Sequence, residues 1–231
     1  MCGRFTLTDP DADLTVQFNL PAIPNMQPRY NIAPTQPVAA VRLAAESMTR
    51  ELALLHWGLI PFWAKDPSIG ARMINARAET AAEKPAFRAA FKRRRCLVVA
   101  DGFYEWQKQN GGKQPYFISL RNREPFAFAG LWESWKGAEE TVIESCALLT
   151  TTPNDLILPL HNRMPVILHP RDYELWLDVA VEDQARLQRL LKPFPSGEME
   201  AYPVSRFVNK PQNDDPRCIE PLAEDQPLPG L

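Results

Sequence analysis

The chain opens Met1-Cys2-Gly3-Arg4, and its second residue carries the first chemical possibility. Removal of Met1 leaves Cys2 as a 1,2-aminothiol, a free α-amine beside a thiol. The amine condenses with an aldehyde to an imine, and the thiol then closes a five-membered thiazolidine, so the product is a covalent adduct. Well-oriented closures of this kind reach effective molarities of ~10⁵ M or more. The unperturbed values are about 7.7 to 8.0 for the amine and about 8.5 for the thiol, so a modest electrostatic push activates either. The plain alternative is that Cys2 is an incidental small residue in a frayed terminus.

Three further groups suit proton transfer or anion binding. In Asp101-Gly102-Phe103-Tyr104-Glu105-Trp106 a carboxylate sits among aromatics, directly after an apolar run. Strand alternation puts Glu105 on the side of Phe103 and opposite Tyr104 and Trp106. If that side is partly desolvated, burial raises the Glu105 carboxyl and makes it a general acid; otherwise it is an edge-strand glutamate paired with Lys or Arg. Of three histidines, His161 lies in a proline-bounded loop and suits a proton shuttle, whereas His56 and His169 read as turn histidines bonded to backbone. Asn75 can orient a reacting oxygen and Arg77 can hold a phosphate. Glu79 and Thr80 read as helix-start residues, and Arg93-Arg94-Arg95 as cations at a helix end.

The elements that must position these groups are mainly short strands. With 231 residues, 45% of them hydrophobic, the chain can bury one large core. Its 23 prolines against 10 glycines punctuate the whole length, as expected for strands joined by fixed turns. Segments 97–100, 116–120, 126–131 and 147–151 read as strands. Helices are expected over 11–18, 80–91 with an interruption at Pro85, 172–177 and 182–191. Asn31 to Pro34, Pro61 to Trp63 and Arg163 to Pro165 read as loops. A net charge of -2 leaves nucleic-acid binding to a local basic patch. The four cysteines form no C-x-x-C, which disfavours zinc and suits free thiols in a reducing compartment. No signal peptide or membrane span is apparent, so the protein is expected in the cytoplasm.

Taken in order, Met1-Cys2-Gly3-Arg4-Phe5, Tyr30-Asn31-Ile32-Ala33-Pro34, Trp57-Gly58, Ile74-Asn75-Ala76-Arg77-Ala78-Glu79-Thr80, Asp101 to Trp106 and His161-Asn162-Arg163-Met164-Pro165 resemble the SOS response-associated peptidase (SRAP) family. Each motif is weak alone; the ordered set is specific. The resemblance implies an α+β fold, a single compact domain over residues 1–210 with a β-barrel-like core of mostly antiparallel strands and surrounding helices. Residues 211–231 are left as a proline-rich tail, packed on the surface or disordered. It also implies a protein that removes its own Met1, binds single-stranded DNA and crosslinks itself to abasic sites, replication-fork junctions included, bound to the nucleoid of a bacterial-type cell; a monomer is the default expectation. By position, Cys2 matches the crosslinking nucleophile, and Asn75, Glu105 and His161 match the catalytic polar residues. Arg4, Pro34, Trp63, Arg77 and Thr150 fall among the DNA contacts. No cofactor or metal is expected.

The residue types then suggest a sequence of steps. An acid, Glu105 or His161, opens the abasic sugar, the Cys2 amine attacks C1′, Glu105 protonates the departing hydroxyl, and the thiol closes the ring. Asn75 bonds near the sugar oxygen, and Arg4 and Arg77 hold the flanking phosphates. Two other readings stay open: a cysteine peptidase or amidohydrolase using Cys2 and His161 on external substrates, and a noncovalent single-strand-binding module in which Cys2 is incidental.

Overall fold

The computed structural model describes residues 2–10, 14–44, 47–110 and 112–222. The first strands are β1 (Phe5–Leu7), β2 (Arg29–Ile32), β3 (Pro37–Leu43), β4 (Arg50–Trp57), β5 (Asn75–Arg77), β6 (Arg95–Ala100) and β7 (Gly102–Gln109). They are followed by β8 (Gly112–Leu120), β9 (Phe126–Lys136), β10 (Val142–Thr151), β11 (Met164–Pro165), β12 (Ile167–Leu168) and β13 (Met199–Pro203). Five short helices intervene: α1 (Leu14–Phe18), α2 (Ala78–Ala81), α3 (Arg88–Arg93), α4 (Tyr173–Leu177) and α5 (Gln184–Gln188).

Every residue of β6 is buried. An apolar run of this kind, without alternation, belongs to a strand covered on both faces. It pairs antiparallel with β3 on one edge and β9 on the other. β3 continues to β4, β4 runs parallel to β10, and β10 returns to β9, so five strands close on themselves. Closure removes the unpaired edges that an open sheet of this composition would expose. The core is filled by aromatics in edge contact: Phe5 meets Trp57 at 5.0 Å and Phe128 at 5.7 Å. A second sheet, ordered β13-β8-β7-β1-β2, leans on the barrel through Phe103, whose ring lies 5.9 Å from Phe128. The α+β fold with a β-barrel core is therefore the observed one.

The four expected strands lie inside β6, β8, β9 and β10. The boundaries of the helices differ. The segment 80–91 splits into α2 and α3, because the ring and missing N–H of Pro85 stop α2 and the chain restarts at Arg88. Of 182–191 only Gln184–Gln188 is helical, and of 11–18 the helix covers Leu14–Phe18, residues 11–13 lying outside the described residues. Two segments read as loops carry strand: Asn31 and Ile32 end β2, and Met164–Pro165 pairs with Thr151 and Thr150 of β10. Pro165 is accommodated in a strand of only two residues, where a missing donor matters least.

Arg93-Arg94-Arg95 resolves into separate structural roles. Arg94 pairs with the buried carboxylate of Glu133 at 2.7 Å. Arg95, 2% exposed, donates to the carbonyls of Phe91, Lys92, Trp176 and Asp178 at 2.5–2.8 Å. These are C-terminal carbonyls of α3 and α4, which lack partners within their helices and attract a cation. Burial lowers the Arg95 guanidinium to about 10. Trp176 completes the junction by donating its indole N–H to Cys96 O at 2.9 Å.

Residues 211–222 lie across β2. Asp214 accepts from the backbone N–H groups of Tyr30 and Asn31 and pairs with Arg29, and Cys218 is fully buried. The remainder of the expected tail, residues 223–231, falls outside the described residues, as does Met1. All four cysteines are free and buried, and no helix among the described residues is long and apolar enough to cross a membrane.

Replacing Arg95 with Leu takes the side-chain donor from the carbonyls of Phe91, Lys92 and Trp176, the bonds to Phe91 and Trp176 being fully buried, while Asp178 O keeps the Val181 N–H. Unsatisfied buried groups cost about 1–3 kcal/mol each, partly relieved by relaxation, so Arg95→Leu is expected to lower stability by roughly 3 kcal/mol or more. Urea unfolding midpoints of the two proteins check this, and a change below about 1 kcal/mol would contradict the capping role.

Candidate active site

Strand β1 brings the N-terminus to β7. Phe5 and Thr6 pair with Phe103 and Gly102, and the Tyr104 N–H donates to Arg4 O at 3.0 Å. Asp101 fastens this pairing, accepting from Thr6 Oγ1 at 2.5 Å and Thr8 Oγ1 at 2.7 Å. Gly102 has to be glycine, since a Cβ there would lie 2.2 Å from the Phe117 ring. Continuing the antiparallel register carries residues 2 and 3 alongside Glu105.

Cys2 is fully buried. Its Sγ donates weakly to Arg4 O at 3.7 Å, and its own carbonyl accepts from Asn75 Nδ2 at 2.8 Å. Desolvation, then the field of Glu105, pushes the thiol well above its ordinary range. The thiol is therefore neutral and needs more than the modest push expected of an exposed terminus. Asn75 is delivered by β5, which runs parallel to β10 with Leu148 opposite Asn75. Its second amide atom, Oδ1, is buried and has no hydrogen-bond partner among the described residues.

Glu105 is 2% exposed. Strand alternation holds as read: Phe103 points to the barrel core, while Tyr104 and Trp106 join a separate cluster with Phe117 and Val204. Burial raises the Glu105 carboxyl above the usual carboxylate range, against smaller lowering effects that include the N–H of Trp106 and the charge of Lys113. A carboxyl raised by burial keeps its proton to higher pH than an exposed one, which suits a proton donor beside Cys2.

His161 ends a tight turn, its N–H donating to Ile157 O at 2.9 Å. Its Nδ1 accepts from the Arg163 N–H at 3.0 Å, which leaves the proton of the neutral ring on Nε2. Burial, foremost, lowers its pKa, helped by the charges of Lys113 and Lys108. His161 is thus a neutral ring at physiological pH, able to donate from one nitrogen only.

The residues matched to DNA contacts divide. Trp63, 49% exposed, and Arg77 line a cleft of about 400 Å³ with Asn75, Lys84 and Phe87. The loop carrying Trp63 is held to the barrel at Gly58, whose φ of +140° and close approach to the Gly70 backbone exclude a side chain. Pro34 lies partly exposed in the turn between β2 and β3 and does not line that cleft. Arg4 is half-buried and already bonded to Asn31 Oδ1, Val208 O and Asn209 O. Thr150 is fully buried, its hydroxyl donating to Ala76 O at 3.4 Å, so it braces β5 from beneath.

Arg163 was not singled out from the sequence. It forms a two-point ion pair with Glu79 at 2.6 and 2.8 Å and also donates to Thr150 O, tying the His161 loop to the start of α2. Glu79 therefore does more than begin a helix. The signal available in the sequence was only that both residues sit inside the motifs that carry Asn75 and His161.

The raised carboxyl of Glu105 carries a stability consequence. Its pKa in the folded chain lies above the unfolded value of about 4.3, so the native state binds the proton more tightly and stability falls as pH rises through the raised value. Glu105→Gln is therefore expected to gain thermal stability over wild type at pH 7 and to lose that advantage at pH 4. Paired melting curves at the two pH values test it; a variant less stable at pH 7 would show that the ionised carboxylate is well satisfied.

Residues 1–211 match the family described as SOS response associated peptidase (SRAP). "Abasic site processing protein YoqW" of Bacillus subtilis (strain 168) is 44% identical over 224 residues, covering 95% of this chain and 99% of that protein. "Abasic site processing protein HMCES" of Gallus gallus is 33% identical, covering 85% of this chain and 67% of the relative. A crystal structure of a protein from Bacteroides thetaiotaomicron superposes with a TM-score of 0.86 at 26% identity, over 96% of this chain and 100% of that one. A family match across nearly the whole chain, together with these relatives, establishes that the protein belongs to the SOS response associated peptidase family.

Proposed function

We propose that this protein recognises abasic sites in single-stranded DNA and captures them as a covalent thiazolidine on Cys2, shielding the lesion. The observation that carries the reading is the direct bond from Asn75 Nδ2 to the Cys2 carbonyl at 2.8 Å, beside the buried carboxyl of Glu105. It holds the backbone of residue 2 where its amine and thiol share one desolvated site with an acid. The names of the relatives, abasic site processing proteins, point to the same substrate.

Hydrolysis of the Met1–Cys2 peptide bond consumes one water and frees the amine; we assign this step to the protein itself. The closed abasic sugar opens to the C1′ aldehyde with proton donation from Glu105 or His161. The Cys2 nitrogen bonds to C1′, the carbonyl oxygen becomes a hydroxyl, and its departure as water, protonated by Glu105, leaves the C1′=N imine. Sγ then adds to C1′ and its proton passes to nitrogen, closing the ring. The linked product has the mass of protein plus DNA less one water. A neutral thiol suits this order, because sulfur acts after the imine forms. A peptidase acting on external substrates needs a thiolate at the outset, and the burial that raises the Cys2 thiol opposes that reading.

Trp63 offers a half-exposed ring for base stacking, worth about 1–3 kcal/mol without sequence preference, and Arg77 an exposed charge for a neighbouring phosphate. Arg4, bonded to three protein acceptors, contributes mainly by shaping the wall beside Cys2. The protein is proposed to act as a monomer in the cytoplasm of a bacterial-type cell, on nucleoid DNA and its replication forks.

Intact-mass measurement with a single-stranded oligonucleotide carrying one abasic site tests the reading. The Met1-free protein is expected to gain the oligonucleotide mass less one water, Cys2→Ala to gain nothing stable, and Cys2→Ser to stop at a reducible imine. No adduct from a correctly processed protein would sink the proposal. The rate of adduct formation should also fall as pH rises through the elevated Glu105 pKa, and Glu105→Gln should remove that limb of the profile; a limb that persists in the variant would assign the acid elsewhere.

A further inference from the structure

A second cationic surface shares no residue with the cleft of Arg77 and Trp63. The β7–β8 hairpin projects beyond β1, and near its tip Lys108 stands directly opposite Lys113 in the ladder. Like charges facing each other across a strand pair are destabilising. Both are exposed, and among the described residues neither forms an ion pair. Arg206, from the 3₁₀ turn Arg206–Asn209, lies over the same tip: a Cβ built on Gly112 would come 3.4 Å from its Nη2. Arg206 also has no carboxylate partner among the described residues, and its Nε is buried without an acceptor.

These cations surround two adjoining clefts. One, of about 380 Å³, is lined by Arg4, Trp106, Lys113, Arg206 and Asn209. The other, of about 520 Å³, shares Trp106 and Lys113 with the first and reaches His161. Among the described residues no carboxylate lines either cleft. Trp106 forms the common wall and donates its indole N–H to Asn209 Oδ1 at 2.8 Å, which leaves the Asn209 amide hydrogens as further donors. Three cations, free amide donors, an aromatic wall and no acid make a site for an anion with several oxygens. The second cleft reaches His161, one of the residues proposed to act on the sugar, so the anion nearest to hand is a phosphate of the same strand.

We propose that Lys113 and Arg206 form a phosphate subsite for one arm of the bound strand, the arm leaving the site past His161 and Trp106. The opposite arm follows Arg77 and Trp63. The charge of Lys113 also reaches the proton-transfer groups, opposing protonation of His161 and favouring ionisation of Glu105. A phosphate seated on it offsets that influence, so occupancy of the subsite favours the protonated acid. This inference rests on the single-stranded DNA reading above, but not on the covalent step.

The test uses the full chain, Lys113→Gln, and Lys113→Gln combined with Arg206→Gln. Labelled oligonucleotides carry one abasic site and are shortened from the 5′ side in one series and from the 3′ side in the other, with affinity read by anisotropy across a salt titration. Borohydride-free adduct yield is read separately at saturating DNA. Wild type is expected to lose affinity on shortening one arm more than the other. The double variant should bind the long oligonucleotide roughly tenfold more weakly at low salt, with a salt slope reduced by about 0.7 per phosphate contact removed. It should also be insensitive to shortening that one arm, while Lys113→Gln alone gives part of the effect. Unchanged affinity and slope, or equal losses on both arms, would overturn the subsite. An arm-specific loss in a protein that forms no adduct would uphold the subsite and reject the covalent reading.

Discussion

Strand β10 is hydrogen-bonded along both edges, and each edge changes partner part-way. On one side Val142 to Leu148 pairs with β9, and Thr150 and Thr151 then pair with β11. On the other, Ser145 and Cys146 pair with β4, and Leu148 to Thr150 with β5. The first set of partners closes the barrel; the second set places the chemistry. β5 carries Asn75 to the Cys2 carbonyl, and β11 follows directly on the loop that ends at His161 and Arg163. Because the backbone groups of a buried strand must all be paired, the partner exchange is obligatory, and the site inherits the rigidity of the barrel.

Burial is the second constraint, and it acts on chemistry and stability in opposite directions. Desolvation raises both the Cys2 thiol and the Glu105 carboxyl, so burial favours the protonated form of each. A protonated acid and a neutral thiol suit condensation with an aldehyde, where protons are needed on a departing hydroxyl before sulfur attacks. The same desolvation makes the ionised carboxylate costly to hold in the fold. Strain of this kind, retained beside the reacting residue, is what a site looks like when local consistency has yielded to function.

Much of this was legible in order along the chain. The apolar run in 97–100 has no alternation because β6 is covered on both faces, and the alternation in 103–106 separates Glu105 from Tyr104 because one face meets the barrel and the other a satellite cluster. The helices were less legible at their ends: they are short, α3 and α4 are docked through Arg95 and Trp176 without side-chain caps of their own, and α5 is begun by a capping side chain, Asp183. Strands β5 and β11, two or three residues long, carry no periodic signal at all; they exist because β10 offers them unpaired edges.

Residue types and their ordered motifs were sufficient to propose the aminothiol, the acid, the amide and the histidine as a set, since the chemistry of each group is intrinsic to its side chain. They were also sufficient for the family and its barrel-containing fold. Which cations remain available to a ligand was decided only by tertiary structure. Arg4 is spent on Asn31, Val208 and Asn209, Arg95 on two helix ends and Arg163 on Glu79, whereas Lys113 and Arg206, in segments without motif character, are left facing open clefts. A side chain's charge is written in the sequence, but whether protein acceptors already satisfy it depends on contacts between segments as far apart as Arg4 and Val208, separated by 204 positions.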